Sequence, residues 1–114
     1  MSKRDARYLL EDIVECAEKI WSYTEGMSFE AFVADGKTVD AVVRNFEIIG
    51  EAVSQLPREI KDKYQSVDWF RIRGFRNRIV HDYVNIDYET VWEIRESFLR
   101  ETVAEVKRVL DDLP

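Results

Sequence analysis

The sequence predicts an all-α protein, an up-and-down bundle of four main helices with short helical turns between them. Three observations point there. Apolar residues recur at three- and four-residue spacing through long segments, and no segment alternates apolar with polar over more than four residues. Four glycines and two prolines in 114 residues leave little turn chemistry for hairpins.

Each element has its own signal. Ala6, Leu9, Leu10, Ile13, Ala17, Ile20 and Trp21 make one apolar stripe, so a first helix is expected over residues 2–24, with Gly26 as its stop. Ser28 followed by Phe29, Phe32 and Val33 predicts a short second helix ending near Asp35 and Gly36. From Thr38 the stripe Val39, Val42, Val43, Phe46, Ile49, Val53 and Leu56 predicts a long helix that Pro57 ends. Pro57 also suits the start of a short helix through Lys63. Ser66 or Asp68 could cap the next main helix, expected from Trp69 to about Asp82 with Trp69, Ile72, Phe75 and Ile79 turned inward. After Val84-Asn85-Ile86, Asp87 is placed to cap a last helix with the stripe Val91, Ile94, Phe98, Val103, Val106 and Leu110, reaching Asp111.

Gly50 stands inside the long helix, where glycine costs about 1 kcal/mol against alanine, and close approach of a neighbouring helix is the expected compensation. Trp21, Trp69 and Trp92 lie on or beside apolar stripes and are expected to pack rather than to stack on a ligand. No repeat, low-complexity tract or linker divides the chain, so residues 1–114 are expected to form one domain.

Composition excludes several function classes. The longest stretch without Asp, Glu, Lys or Arg is Ala52 to Pro57, far short of the roughly 20 apolar residues that span a bilayer, so no membrane partner is expected. Glu11 and Asp12 follow Tyr8-Leu9-Leu10 too closely for a signal-peptide core, and a cytoplasmic protein is expected. One cysteine, Cys16, makes no intrachain disulfide, and with the single His81 it offers no soft-ligand cluster. No metal and no other cofactor is expected.

A net charge of −6 and a pI near 4.9 argue against a general nucleic-acid binder. The average hides a basic island. Residues 58–83 carry seven basic and four acidic side chains, a local +3, while the rest carries ten against nineteen, or −9. Arg71, Arg73, Arg76 and Arg78 fall together there, with Asn77, His81, Asp82 and Tyr83 close by; Glu51 on the long helix could pair with one of the arginines or be solvated.

On a helix continued through Tyr83, Arg76 and Tyr83 would share one face and Asn77 and His81 a neighbouring one. An imidazole exchanges protons near neutral pH, and a guanidinium holds a phosphate through two parallel hydrogen bonds. Metal-free RNA cleavage needs a proton acceptor, a proton donor and a cation for the developing charge, because the 2′-hydroxyl is an internal nucleophile. One histidine does not easily fill both proton roles, whereas a twofold dimer would supply a second His81 and a second Arg76. Spacing alone leaves the plainer alternative open: a histidine at a helix end serving the dipole, beside a solvated arginine face.

The string Arg76-Asn77-Arg78-Ile79-Val80-His81-Asp82-Tyr83 resembles the R-x4-H-x-Y signature of the HEPN superfamily, and more narrowly that of the HepT-like toxins. Ile48-Ile49-Gly50-Glu51-Ala52, Trp69 and Trp92 extend the resemblance over nearly the whole chain. The resemblance implies an α-helical homodimer acting as a metal-independent ribonuclease with Arg76 and His81 as catalytic residues. Asn77, Arg78, Asp82, Arg73 and Glu51 are carried as supporting candidates. It also implies the toxin half of a type VII-like toxin–antitoxin pair, with a minimal nucleotidyltransferase of the MntA type as antitoxin, neutralising by AMPylation of the motif tyrosine, here Tyr83. The acidic bulk surface suits one structured RNA, such as a tRNA end. The alternative is a non-catalytic nucleotide- or RNA-binding dimer that partners a nucleotidyltransferase.

Overall fold

The computed structural model describes residues 3–80 and 85–114, and they form an all-α fold. Helices α1 (Lys3–Thr24) and α3 (Gly36–Gln55) are its long pair, packed along their lengths, and α8 (Leu99–Asp112) lies against α1. Short helices fill in around them: α2 (Phe29–Ala34), α4 (Arg58–Lys63), α5 (Trp69–Arg73), α6 (Phe75–Ile79) and α7 (Tyr88–Glu93).

The caps are where the residue chemistry asks for them. Gly26, at φ 75°, takes the left-handed conformation that ends α1. Ser28 accepts from the Ala31 amide, Asp35 from Thr38, Asp68 from Arg71 and Asp87 from Thr90, each satisfying a donor that a first turn leaves free. The long helix starts at Gly36, slightly ahead of its expected start, because Asp35 is its cap.

Ala6, Leu10, Ile13, Ala17 and Ile20 of α1 meet Val42, Phe46, Ile49 and Val53 of α3, all buried in one cluster. Phe75 carries this core into the second half of the chain, meeting Phe46 edge-on at 5.5 Å and Phe98 at 5.6 Å. Trp69 is buried and donates its indole N–H to the Tyr64 carbonyl; Trp92 packs on Phe32 at 5.2 Å. Among the described residues the tryptophans are packing residues, as expected.

Two expected helices depart from the sequence reading. The helix expected over 69–82 is broken at Gly74 into α5 and α6, and α6 ends at Ile79. Gly74 has φ −83° and ψ 0°, outside the α-helical well, while Val80 is extended and forms an isolated antiparallel bridge with Ile86. The Asp87 amide donates to the Ile79 carbonyl at 2.8 Å, beside that bridge. The last helix is also not uniform: a π-helical segment, Ile94–Phe98, joins α7 to α8, with the Leu99 amide bonded to the carbonyl of Ile94, five residues back. Of the four expected main helices, one is therefore a pair of short helices.

Gly50 does what its position in a helix interior asks. It is buried, and a Cβ there would stand 3.0 Å from the backbone oxygen of Arg73. The close approach is between α3 and the end of α5 within one chain.

Candidate functional site

Arg76 lies on α6 where that helix faces α3. Its Nε stands 3.7 Å from Oε1 of Glu47, with both side chains about half exposed at 56% and 40%. So exposed a pair contributes under about 1 kcal/mol, which leaves the guanidinium free to exchange Glu47 for a stronger anion. Asp40, Val43, Arg44, Glu47, Arg76, Val80 and Ile86 line an open groove of about 290 Å³. A second depression, about 370 Å³, continues past Arg76 along Arg44, Glu47, Ile48 and Glu51. Arg76 stands between the two.

Local structure explains this placement. Phe75 and Ile79 are buried, so the intervening Arg76 and Asn77 turn outward. Val80 donates its amide to the Arg76 carbonyl at 3.0 Å and then turns to pair with Ile86. Val80 and Ile86, on either side of residues 81–85, thus both line the groove.

The expected site residues separate into groups. Arg76 lines the groove, and Glu51 lines its extension, where its carboxylate accepts from Gln55 Nε2 at 3.1 Å rather than from an arginine. Asn77 and Arg73 are exposed. Arg78 is half-buried, and its Nη1 is buried with no hydrogen-bond partner among the described residues. His81, Asp82 and Tyr83 lie outside the described residues. The shared faces expected for Arg76 with Tyr83, and for Asn77 with His81, fall on residues outside the described ones; α6 itself ends at Ile79.

Sequence reasoning missed the opposite wall. Asp40, Arg44 and Glu47 come from α3 and continue to Glu51 at four-, three- and four-residue spacing, the charged face opposite that helix's apolar stripe. The signal was visible, but nothing in the spacing says that Arg76 faces it.

Comparison with known proteins gives this groove a family context. A protein of Methanocaldococcus jannaschii named "Putative RNase" is 36% identical over 113 residues, 99% of this chain and 93% of the relative. A protein of the same name from Caldanaerobacter subterraneus subsp. tengcongensis is 38% identical over 104 residues, 91% of this chain and 93% of its own. One from Thermococcus cleftensis, named "Probable ribonuclease HepT", is 36% identical over 91 residues, 80% of this chain and 83% of its own. No solved structure matches the chain. The family description "Ribonuclease HepT-like" matches residues 13–109, so with Arg76, His81 and Tyr83 all inside the matched region, the chain belongs to the HepT-like ribonuclease family.

Proposed function

We propose that the protein is a metal-independent endoribonuclease, active as a homodimer, and the toxin of a type VII-like pair whose minimal nucleotidyltransferase antitoxin silences it by AMPylation of Tyr83. The observation that carries this reading is the position of Arg76: a weakly held guanidinium in an open groove, sharing that groove with Val80, the residue joined to His81.

The chemistry follows from what the substrate already contains. The 2′-oxygen of the RNA attacks the adjacent phosphorus, the bond to the 5′-oxygen breaks, and a 2′,3′-cyclic phosphate forms. His81 of one protomer takes the 2′-hydroxyl proton. Protonated His81 of the second protomer gives a proton to the departing 5′-oxygen. Arg76 leaves Glu47 for the phosphate and carries its developing charge. Asp40, Glu47 and Glu51 along the same walls disfavour indiscriminate phosphate binding, which suits a structured RNA such as a tRNA end.

In silencing, the Tyr83 oxygen attacks the α-phosphorus of ATP, pyrophosphate leaves, and the toxin retains an AMP group. That group brings a phosphodiester charge and a nucleoside next to His81 in the sequence, in competition with substrate for the same cation.

The deciding experiment is cleavage of total tRNA in EDTA by the wild-type protein and His81→Ala. Losing a positioned acid/base costs about 10²–10⁴ in rate. A variant that keeps more than half the wild-type turnover removes His81 from the mechanism.

A further inference from the structure

The basic island contains cations of two kinds. Arg58 stands 3.9 Å from Asp62, Lys63 4.0 Å from Asp112 and Arg76 3.7 Å from Glu47, while the Arg71 guanidinium lies 3.7 Å from the centre of the Phe98 ring. Arg73, Lys61 and the half-buried Arg78 are different: none has a carboxylate within ion-pair distance among the described residues, and of the three Arg73 is the exposed one on α5. The Lys61 ammonium is held below its ordinary pKa, first by burial and then by the charge of Arg73. A cation without an acid to neutralise it is open to an anion from outside.

Beside them stands Phe70. It is 87% exposed, whereas no other large apolar side chain among the described residues exceeds 51%. One exposed phenylalanine requires no explanation by itself. Its company does: Phe70 and Arg73 are three apart on α5, share a face and are both exposed. The Gly74 amide bonds to the Phe70 carbonyl and the Arg78 amide to the Gly74 carbonyl, both at 3.1 Å, so α6, which carries Arg76, follows directly on α5. Aromatic rings interleaved with cations are how proteins hold single-stranded nucleic acid, since every base has a face to stack and every nucleotide a phosphate.

We infer that Phe70 and Arg73 form a docking strip for single-stranded RNA on the element preceding Arg76, with a base stacked on the Phe70 ring, a neighbouring phosphate held by Arg73 and the Lys61 charge adding to the attraction. The strip deepens the ribonuclease reading and rests on it for the identity of the ligand. Phe70 is a positioning residue, and Arg76 and His81 remain the catalytic ones.

The test uses two probes on the full chain. A fluorescein-labelled 2′-O-methyl oligouridylate has no free 2′-hydroxyl and reports binding alone, by anisotropy; the matching oligouridylate with free hydroxyls reports cleavage. Phe70→Ala should weaken binding of the first about tenfold and raise KM for the second by a similar factor with kcat unchanged, and Phe70→Trp should restore both. Lys61→Gln should reduce the slope of log affinity against log salt by about 1. Equal binding by wild type and Phe70→Ala overturns the strip. A Phe70→Ala protein whose sedimentation shows a changed oligomeric state overturns it too, since the ring is then an anchor between subunits. If wild type binds the methylated strand through Phe70 but cuts neither the oligouridylate nor total tRNA, the ribonuclease reading falls and the strip stands; if it cuts equally well without the ring, the strip falls and the ribonuclease stands. Wild type that does not bind the strand and cuts neither RNA overturns both.

Discussion

The backbone oxygen of Arg73 stands 3.0 Å from the place a Cβ on Gly50 would occupy. That contact joins the middle of the long helix to the end of α5, one turn ahead of Arg76. Gly50→Ala adds a methyl group against a backbone atom that cannot rotate away. The clash costs about 1–3 kcal/mol, against a gain of at most about 1 kcal/mol in helix propensity. A lowered urea midpoint with an unchanged slope is therefore expected. A midpoint equal to wild type would show that α5 shifts freely.

Arg76 allows charge to be separated from geometry. Arg76→Ala should lose cleavage, and Arg76→Lys should remain impaired, because an ammonium keeps the charge and loses the two-point fork. Full activity in the lysine variant, measured as kcat/KM on the cleavable strand, would reduce the role of Arg76 to a simple counter-ion.

Tyr83→Phe should cleave RNA and escape silencing. Incubation with the cognate nucleotidyltransferase and ATP, followed by mass spectrometry, should find AMP on wild type and none on the variant. AMP on another residue, or a variant still neutralised by transfer, would reassign the modification and leave the nuclease in place.

Cys16 is the sole cysteine, buried on α1, and burial raises its thiol above the ordinary 9.0, the nearby Lys19 opposing in part. Native protein should react slowly with a thiol reagent, at a rate that tracks unfolding. The raised folded value also fixes the sign of a pH effect. Above the ordinary value the unfolded chain releases the proton while the folded chain keeps it, so this contribution to stability is complete below pH 9.0 and declines as pH rises past it. Cys16→Ser should flatten that alkaline decline; an unchanged slope would assign it to other groups.

What the sequence reveals about this fold divides along local and non-local lines. Ser28, Asp68 and Asp87 cap their helices because the bond they make lies within three residues, and the stripes of α1 and α3 repeat cleanly. The break at Gly74 was hidden because Trp69, Ile72, Phe75 and Ile79 keep a helical period through it, while the end at Ile79 depends on Val80 pairing with Ile86 across a gap in sequence. In the last helix the expected stripe chose Phe98 and Leu110, but Leu99 and Val109 are the buried residues. The five-residue step from Ile94 to Leu99 makes a full turn only in a π-helix, and a constant period cannot register it. Within the candidate groove, Arg76 was singled out by the resemblance to the R-x4-H-x-Y signature. Glu47 and Arg44 were not, since which helix faces which is settled by the core.

The wide turn at Ile94–Phe98 also changes how the gene's length relates to its shape. One residue is absorbed there without displacing α7 or α8, and the bulge is tied down from outside: the Arg95 carbonyl accepts from Trp21 Nε1 at 3.3 Å, and the Arg95 Nε donates to Thr24 Oγ1 at 2.7 Å. A single-codon deletion inside this turn would tighten it to an ordinary helix and leave the flanking faces in register, whereas the same deletion in α8 would rotate every following side chain by about 100°. A one-residue change in length is therefore accommodated at this turn at lower cost than within α8.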